Sequence, residues 1–208
     1  AWLRVLTGSK ELPEEWVRLD WDGYRLAWRT EARNDDKRTL IAAILPPHVA
    51  VTDKAPFVRP FKLQVSEKGL KWSLQYEYPQ LLYLAGMLSS FACDSVARTR
   101  LAKKDFKSHL FRALPVPPWR DSRPQRRIAE LYARLTCLPT TAERPWADYA
   151  ALAAAMGLNA AKDGLIDPAA RREAEIELNV LASTVFGLDS ASLRFLMDTL
   201  FMTPMHKD

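Results

Sequence analysis

The sequence predicts an α+β protein, with a β-containing module over residues 1–119 and an α-helical region over residues 120–208. Three observations carry that reading. Alternating apolar and charged residues crowd the first third of the chain. From Pro79 onward apolar residues recur at three- and four-residue spacing. Prolines cluster between Pro115 and Pro145, where the charge balance also changes sign.

The β-rich reading starts at Trp16-Val17-Arg18-Leu19-Asp20-Trp21, followed by Asp22-Gly23 and then Tyr24-Arg25-Leu26-Ala27-Trp28-Arg29. Two alternating runs around an Asp-Gly pair predict a hairpin, because that pair tolerates the positive φ of a tight turn. Residues 39–45 form an apolar run stopped by Pro46-Pro47, a buried strand or a short helix that periodicity alone does not separate. Residues 57–78 are rich in aromatic and apolar side chains without a clean period and read as strand or loop. Leu81, Leu84, Leu88 and Phe91 then line one face of a helix that runs out into Arg98, Arg100, Lys103 and Lys104.

Beyond the prolines the pattern is helical. Helices are expected over residues 124–138, over residues 147–156 with Gly157 as the stop, and over residues 167–186 with Gly187 as the stop. Asp167-Pro168 supplies an N-cap and a first-turn proline to the third of these, whose apolar face is expected at Ile176, Val180, Leu181 and Val185. Asp189 or Ser190 caps a short last helix carrying Leu193, Leu196, Met197 and Leu200.

At 208 residues, 48% hydrophobic and 26% charged, the chain is composed like an ordinary globular protein. Its longest apolar stretch, residues 81–93, is shorter than a membrane span and carries Ser89 and Ser90, so no membrane association is expected. No basic-then-apolar leader opens the sequence, and the absence of an initiator Met fits either processing or excision from a longer polypeptide. Cys93 and Cys137 form neither a disulfide framework nor a zinc set with the scattered His48, His109 and His206, and a cytoplasmic location is expected.

The net charge of +5 is unevenly spread. Residues 1–120 hold 20 Lys/Arg against 13 Asp/Glu, a net of +7, while residues 121–208 hold 10 against 12, a net of −2. Between Arg98 and Arg112 stand six basic residues and a single acid, Asp105. Such a cluster suits a phosphate-facing surface, and it equally suits a solvated helix end. The usual catalytic patterns are missing: no Gly-rich phosphate loop, no His-Glu metal pair on a helix, no nucleophile elbow. Leu45-Pro46-Pro47-His48 has two prolines but not the amide side chain that would hold an adenine amino group.

Four segments, in order, resemble one protein family. Tyr24-Arg25-Leu26-Ala27-Trp28-Arg29 with Asn34 and Lys37-Arg38-Thr39-Leu40-Ile41-Ala42-Ala43-Ile44-Leu45-Pro46 is similar to a stretch of the target-recognition regions of large DNA methyltransferases. Leu82-Tyr83-Leu84-Ala85-Gly86-Met87-Leu88-Ser89-Ser90-Phe91 resembles their Leu-Asn-Ser-Phe helix, with Ser89 where Asn is common. Phe111-Arg112-Ala113-Leu114-Pro115-Val116-Pro117 matches an element ending Leu-Pro-(Ile/Val)-Pro. Glu177-Leu178-Asn179-Val180-Leu181-Ala182-Ser183-Thr184-Val185-Phe186-Gly187-Leu188 looks like the closing helix. The resemblance covers roughly residues 16–202 and points to the target-recognition and C-terminal region of type IIG restriction-modification enzymes and adenine-specific methyltransferases of phage-defence systems of the BREX and DISARM kind.

That resemblance implies a specificity part that binds double-stranded DNA while a methyltransferase domain of the same parent chain flips the target adenine. It implies no cofactor in this portion, S-adenosylmethionine belonging to the catalytic domain, and no catalysis by this portion alone, whether or not the parent also carries an endonuclease. The candidate DNA-contacting residues are Arg29, Arg33, Arg38, Arg98, Arg100, Lys103, Lys104, Lys107 and Arg112. Arg38 could equally hold the following strand through a salt bridge, and Trp72, between Lys71 and Ser73, is a candidate stacking residue. The competing readings are a protein-interaction module that docks on a methyltransferase or defence-system partner, and a stand-alone nuclease.

Overall fold

The computed structural model describes residues 17–33, 36–66, 69–101, 105–144 and 147–201, and the account below concerns those residues. Among them are eight α-helices and two small antiparallel sheets, so the α+β class holds. No single helix there is long and apolar enough to cross a membrane.

The first sheet pairs β1 (Arg25–Trp28) with β2 (Ala42–Leu45), Arg25 opposite Leu45 and Trp28 opposite Ala42. The other edge of β1 is covered too. Trp28 N–H donates to Pro56 O at 3.1 Å and Val58 N–H to Leu26 O at 2.8 Å. All four β1 residues are therefore buried, Arg25 included, whose guanidinium sits over the Phe57 ring and donates to Val49 O. The expected hairpin between residues 16–21 and 24–29 does not form. Asp20–Asp22 is a 3-10 turn, Val17 and Leu19 are exposed and outside any strand, and Trp16 lies outside the described residues. Alternation of charged and apolar residues suggested a half-exposed strand, but β1 is enclosed by partners on both edges.

A second sheet, β3 (Phe61–Ser66) and β4 (Gly69–Leu74), is a two-stranded ribbon with Phe61 opposite Leu74 and Gln64 opposite Lys71. Phe61 anchors its foot under the Arg18 guanidinium and close to Gly23, where a Cβ would meet the ring at 2.7 Å.

The long helix expected from Pro79 is two helices, α1 (Tyr78–Leu88) and α2 (Phe91–Arg100). Ser90 breaks it by acting as the α2 N-cap: its hydroxyl accepts from Cys93 N–H at 3.2 Å and donates to Met87 O at 2.6 Å. Such a cap satisfies an amide that would otherwise be orphaned. After α3 (Ser108–Arg112) the proline-rich run leads to α4 (Arg123–Thr136), then α5 (Ala150–Ala154), α6 (Ala160–Asp163), α7 (Pro168–Val185) and α8 (Ser190–Leu196), which continues as a π turn over Met197–Phe201.

The β1–β2 sheet packs on α1, α1 on α4, and α4 on α7. Gly86 permits the close α1–α4 approach, since a Cβ there would lie 2.7 Å from Ile128 Cγ2. One cluster of buried residues runs from Leu26 and Ile44 through Leu82, Met87 and Ile128 to Leu178 and Ala182. The change of composition near residue 119 thus does not separate two cores. On α7 the buried positions are Ala174, Leu178, Ala182 and Ser183. Leu181 and Val185 flank that face as expected, but Ile176 and Val180 are 56% and 49% exposed. Small side chains let α7 approach α4 along its Ala174-Leu178-Ala182 line, which turns Ile176 and Val180 away from the core.

Asp167 caps α7 as the sequence predicts, Oδ2 accepting from Ala170 N–H at 2.8 Å. Asp167→Ala should cost about 1 kcal/mol, a fall in Tm of about 2–4 °C in a thermal melt. An unchanged Tm would show that the cap carries no stability.

Candidate nucleic-acid interface

The expected DNA-contacting residues divide sharply by environment. Arg98 is buried, and its guanidinium is committed to structure. Nε donates to Asp94 Oδ2 at 2.9 Å, and Nη2 donates to Asp36 O at 2.5 Å and Lys37 O at 2.9 Å. Asp94 is itself fully buried and also accepts Leu40 N–H at 2.6 Å. Arg98 therefore clamps residues 36–40 onto α2 and presents no charge to a ligand, which corrects its expected phosphate role. The i, i+4 spacing of Asp94 and Arg98 was visible in the sequence, but a cluster count weighs every arginine alike.

Arg38 is also drawn inward. Its guanidinium carbon lies 4.1 Å over the Phe91 ring, and burial holds its pKa below the usual arginine value. Nη1 is buried without a hydrogen-bond partner. The side chain borders an open cavity of about 730 Å³ whose walls include Ile41, Ile176, Val180 and Met197. Among the described residues Arg38 has no salt-bridge partner.

The remaining described cations are at the surface. Arg29 pairs with Asp36 at 2.9 Å, and the Arg100 guanidinium donates to Ala113 O. Arg33, Lys107 and Arg112 are exposed, and among the described residues their side chains have no hydrogen-bond or ion-pair partner. Lys103 and Lys104 lie outside the described residues, as does Asn34.

Residues 28–31 and 105–111, far apart in sequence, are joined by the fold. Phe106 N–H donates to Thr30 O at 2.6 Å, and Glu31 bridges Asp105 in an antiparallel pairing. The Trp28 ring stacks on Phe111 with centroids 3.9 Å apart and an angle of 10°, while its Nε1 donates to Phe106 O at 3.2 Å. Trp28 is 5% exposed, so this stack is an interior contact of the seam. Arg29 and Arg33 on one side, and Lys107 and Arg112 on the other, flank that seam. Acidic groups are present as well: Glu31, paired with Lys54 at 2.6 Å, Asp36 and Asp105.

Sequence reading passed over a further group of exposed polar residues, Lys62, Gln64 and Lys71 on the β3–β4 ribbon. The strict alternation of Phe61-Lys62-Leu63-Gln64-Val65-Ser66 was the available signal. The paired Gly69-Leu70-Lys71-Trp72-Ser73-Leu74 repeats it.

The described residues hold no group of three or more His, Cys, Asp or Glu side chains placed to bind a metal ion. Burial pushes the Cys93 thiol up to about 12 and the Cys137 thiol up to about 11, so both stay protonated at neutral pH and neither is an activated nucleophile. No protein-family model, curated protein or solved structure matches this chain.

The contrast between the clamped and exposed arginines is measurable. Arg98→Ala leaves Asp94 buried and unpaired, which costs about 3–5 kcal/mol and should lower Tm by about 10 °C. Arg112→Ala should leave Tm within about 1 °C, as for an ordinary surface change. Equal melting of the two variants would refute the clamp.

Proposed function

We propose that this chain recognises double-stranded DNA in a sequence-specific way, as the specificity part of an adenine-specific methyltransferase of restriction-modification or phage-defence type. The observation that carries the reading is that the fold joins the segments bearing the exposed Arg33, Lys107 and Arg112, through the Phe106–Thr30 hydrogen bond and the Trp28–Phe111 stack. Exposed cations carried on backbone that is already held in place are what phosphate contact requires. Each neutralised phosphate releases counterions, and the loss of side-chain freedom is small where the backbone is already fixed. The order of motifs shared with target-recognition regions supports the same reading. Methyl transfer and the S-adenosylmethionine site are assigned to a catalytic domain of the parent chain, and this chain works without a cofactor of its own.

A second reading has its own observation. The cavity beside Arg38 is walled by Ile41, Ile176 and Val180, apolar side chains 42–56% exposed, next to a guanidinium nitrogen without a partner. Clustered exposed apolar residues of this kind suit a protein contact, such as docking against a methyltransferase or a defence-system partner.

Two expected outcomes test the first reading. The triple variant R33A/K107A/R112A should bind two unrelated duplexes equally more weakly, with the slope of log K against log salt reduced by roughly one unit for each phosphate no longer neutralised. Its Tm should match that of the unmutated chain. Unchanged affinity and slope would leave the cations as solvated surface and favour the protein-contact reading. In addition, incubation of the chain with labelled S-adenosylmethionine and mixed-sequence DNA should give no incorporation above background. Labelling would place methyl transfer in this chain itself.

A further inference from the structure

We propose that the β3–β4 ribbon lies in the DNA major groove and reads base edges through Lys62, Gln64 and Lys71. The inference rests on the DNA-binding reading above and adds to it the element that supplies sequence specificity.

The pairing register decides which side chains share a face. Gln64 stands directly opposite Lys71, and Lys62 opposite Ser73, so strand alternation puts these four on one side. Phe61, Leu63, Trp72 and Leu74 fall on the other. That second side is the one turned to the body at the foot of the ribbon. Phe61 is buried, Leu74 lines a small recess with Tyr24 and Leu26, and Trp72 is half-buried. Lys62, Gln64 and Lys71 are exposed. Lys62, Gln64 and Lys71 thus form an exposed polar row, anchored at the foot of the ribbon by Phe61 and Leu74, while the Ser73 hydroxyl beside them is buried and Leu63 on the opposite side is 43% exposed. Residues 67–68 lie outside the described residues.

A two-stranded ribbon in this setting matches a specific ligand dimension. The major groove is about 12 Å wide and admits such a ribbon, whereas the minor groove, at about 6 Å, does not. Residues two apart on a strand are separated by about 6.8 Å, close to two base-pair steps of about 3.4 Å. Lys62 and Gln64 can thus address base pairs two steps apart, while Lys71 reaches across from the paired strand. The residue types fit as well. A Gln amide both donates and accepts, as adenine N6 and N7 require, and a lysine ammonium donates to guanine O6 and N7. Duplex RNA is a poor alternative, because its major groove is too deep and narrow for side chains to read.

The ribbon also sits well with the basic seam. It springs from the chain that pairs with the start of β1, since Val58 N–H bonds to Leu26 O, whereas the seam lies past the end of β1 at Thr30. Phosphate contacts at one end of β1 would set register for base contacts at the other, the usual division of labour between positioning and specifying groups.

The test starts from randomised 20-base-pair duplexes selected over several rounds on the unmutated chain, the enriched duplex then serving as probe. K62A/Q64A/K71A should bind that probe at least about tenfold more weakly and expose guanine N7 positions to dimethyl sulfate that the unmutated chain protects. Its affinity for unselected duplexes should fall less, and its Tm should be unchanged. R33A/K107A/R112A should instead weaken selected and unselected duplexes alike and keep the selected-over-unselected ratio. Unaltered protection and an unaltered ratio in K62A/Q64A/K71A would overturn the ribbon assignment and leave DNA binding intact. A duplex RNA competing as well as DNA would overturn it too. If the unmutated chain enriches no sequence and binds no duplex in a salt-dependent way, the DNA reading itself falls.

Discussion

Asp94 is a fully buried carboxylate at the centre of the fold, and the placement of the candidate interface depends on how its charge is met. An unpaired carboxylate in that position would be prohibitively costly. Arg98, one helical turn along, supplies the counter-charge, and the amide of Leu40 supplies a further hydrogen bond. The same guanidinium then reaches the carbonyls of Asp36 and Lys37. Thr39, also fully buried, closes the loop by donating to Arg33 O at 2.9 Å. One ion pair thus holds Asp36, Lys37 and Leu40, delivers the chain into β2, and through β2 positions β1. The surface cations Arg29 and Arg33 inherit their places from this buried pair.

The helical segments complete that arrangement and contribute to the same cluster of buried residues. The proline-rich run is glued down at each step: Tyr83 Oη donates to Pro117 O at 2.9 Å, Gln125 Nε2 to Pro118 O at 2.9 Å, and Arg120 N–H to Gln125 Oε1 at 2.7 Å. Prolines there replace backbone donors that a packed loop would have to satisfy. Farther on, Asn179 of α7 accepts the Phe91 N–H at 2.7 Å, capping the start of α2 from across the molecule. The Arg127 guanidinium grips both oxygens of Glu177 at 2.7 and 2.8 Å and ties α4 to α7. Glu177 and Glu130, both paired with Arg127, are among the acidic residues of the C-terminal half.

What could be read in advance was what local chemistry decides. Asp167 and Asp189 cap helices because a short carboxylate beside an apolar periodic run has one good use, and both accept the expected amides, from Ala170 and Ser192. Gly187 ends α7 with φ of 78°, a conformation that L side chains rarely adopt. What escaped the sequence was decided by partners distant along the chain. The second edge of β1 is covered by residues 56–58, so the Tyr24 to Arg29 stretch joins β2 rather than residues 16–21. Ile176 and Val180 looked like core because periodicity defines a stripe without saying which edge of it faces a neighbour. The basic cluster likewise mixed a clamped Arg98 with an exposed Arg112, and only packing separates them.

Burial sorts the sequence motifs in the same way. The segments that resemble target-recognition regions are mostly interior: Thr39, Leu82, Met87 and Ala182 are fully buried, Ile44 and Leu178 nearly so. Tyr83 and Gly86 serve the contact between α1 and its neighbours, Asn179 caps α2, and Gly187 stops α7. Such motifs specify a scaffold, because a core constrains residue size and hydrogen bonding at each position. Surface cations and the outer face of a ribbon are under no such constraint from folding. Lys62, Gln64, Lys71, Lys107 and Arg33 can change without disturbing the clamp or the α1–α4–α7 stack. A scaffold built this way can keep its interior while its outer residues vary.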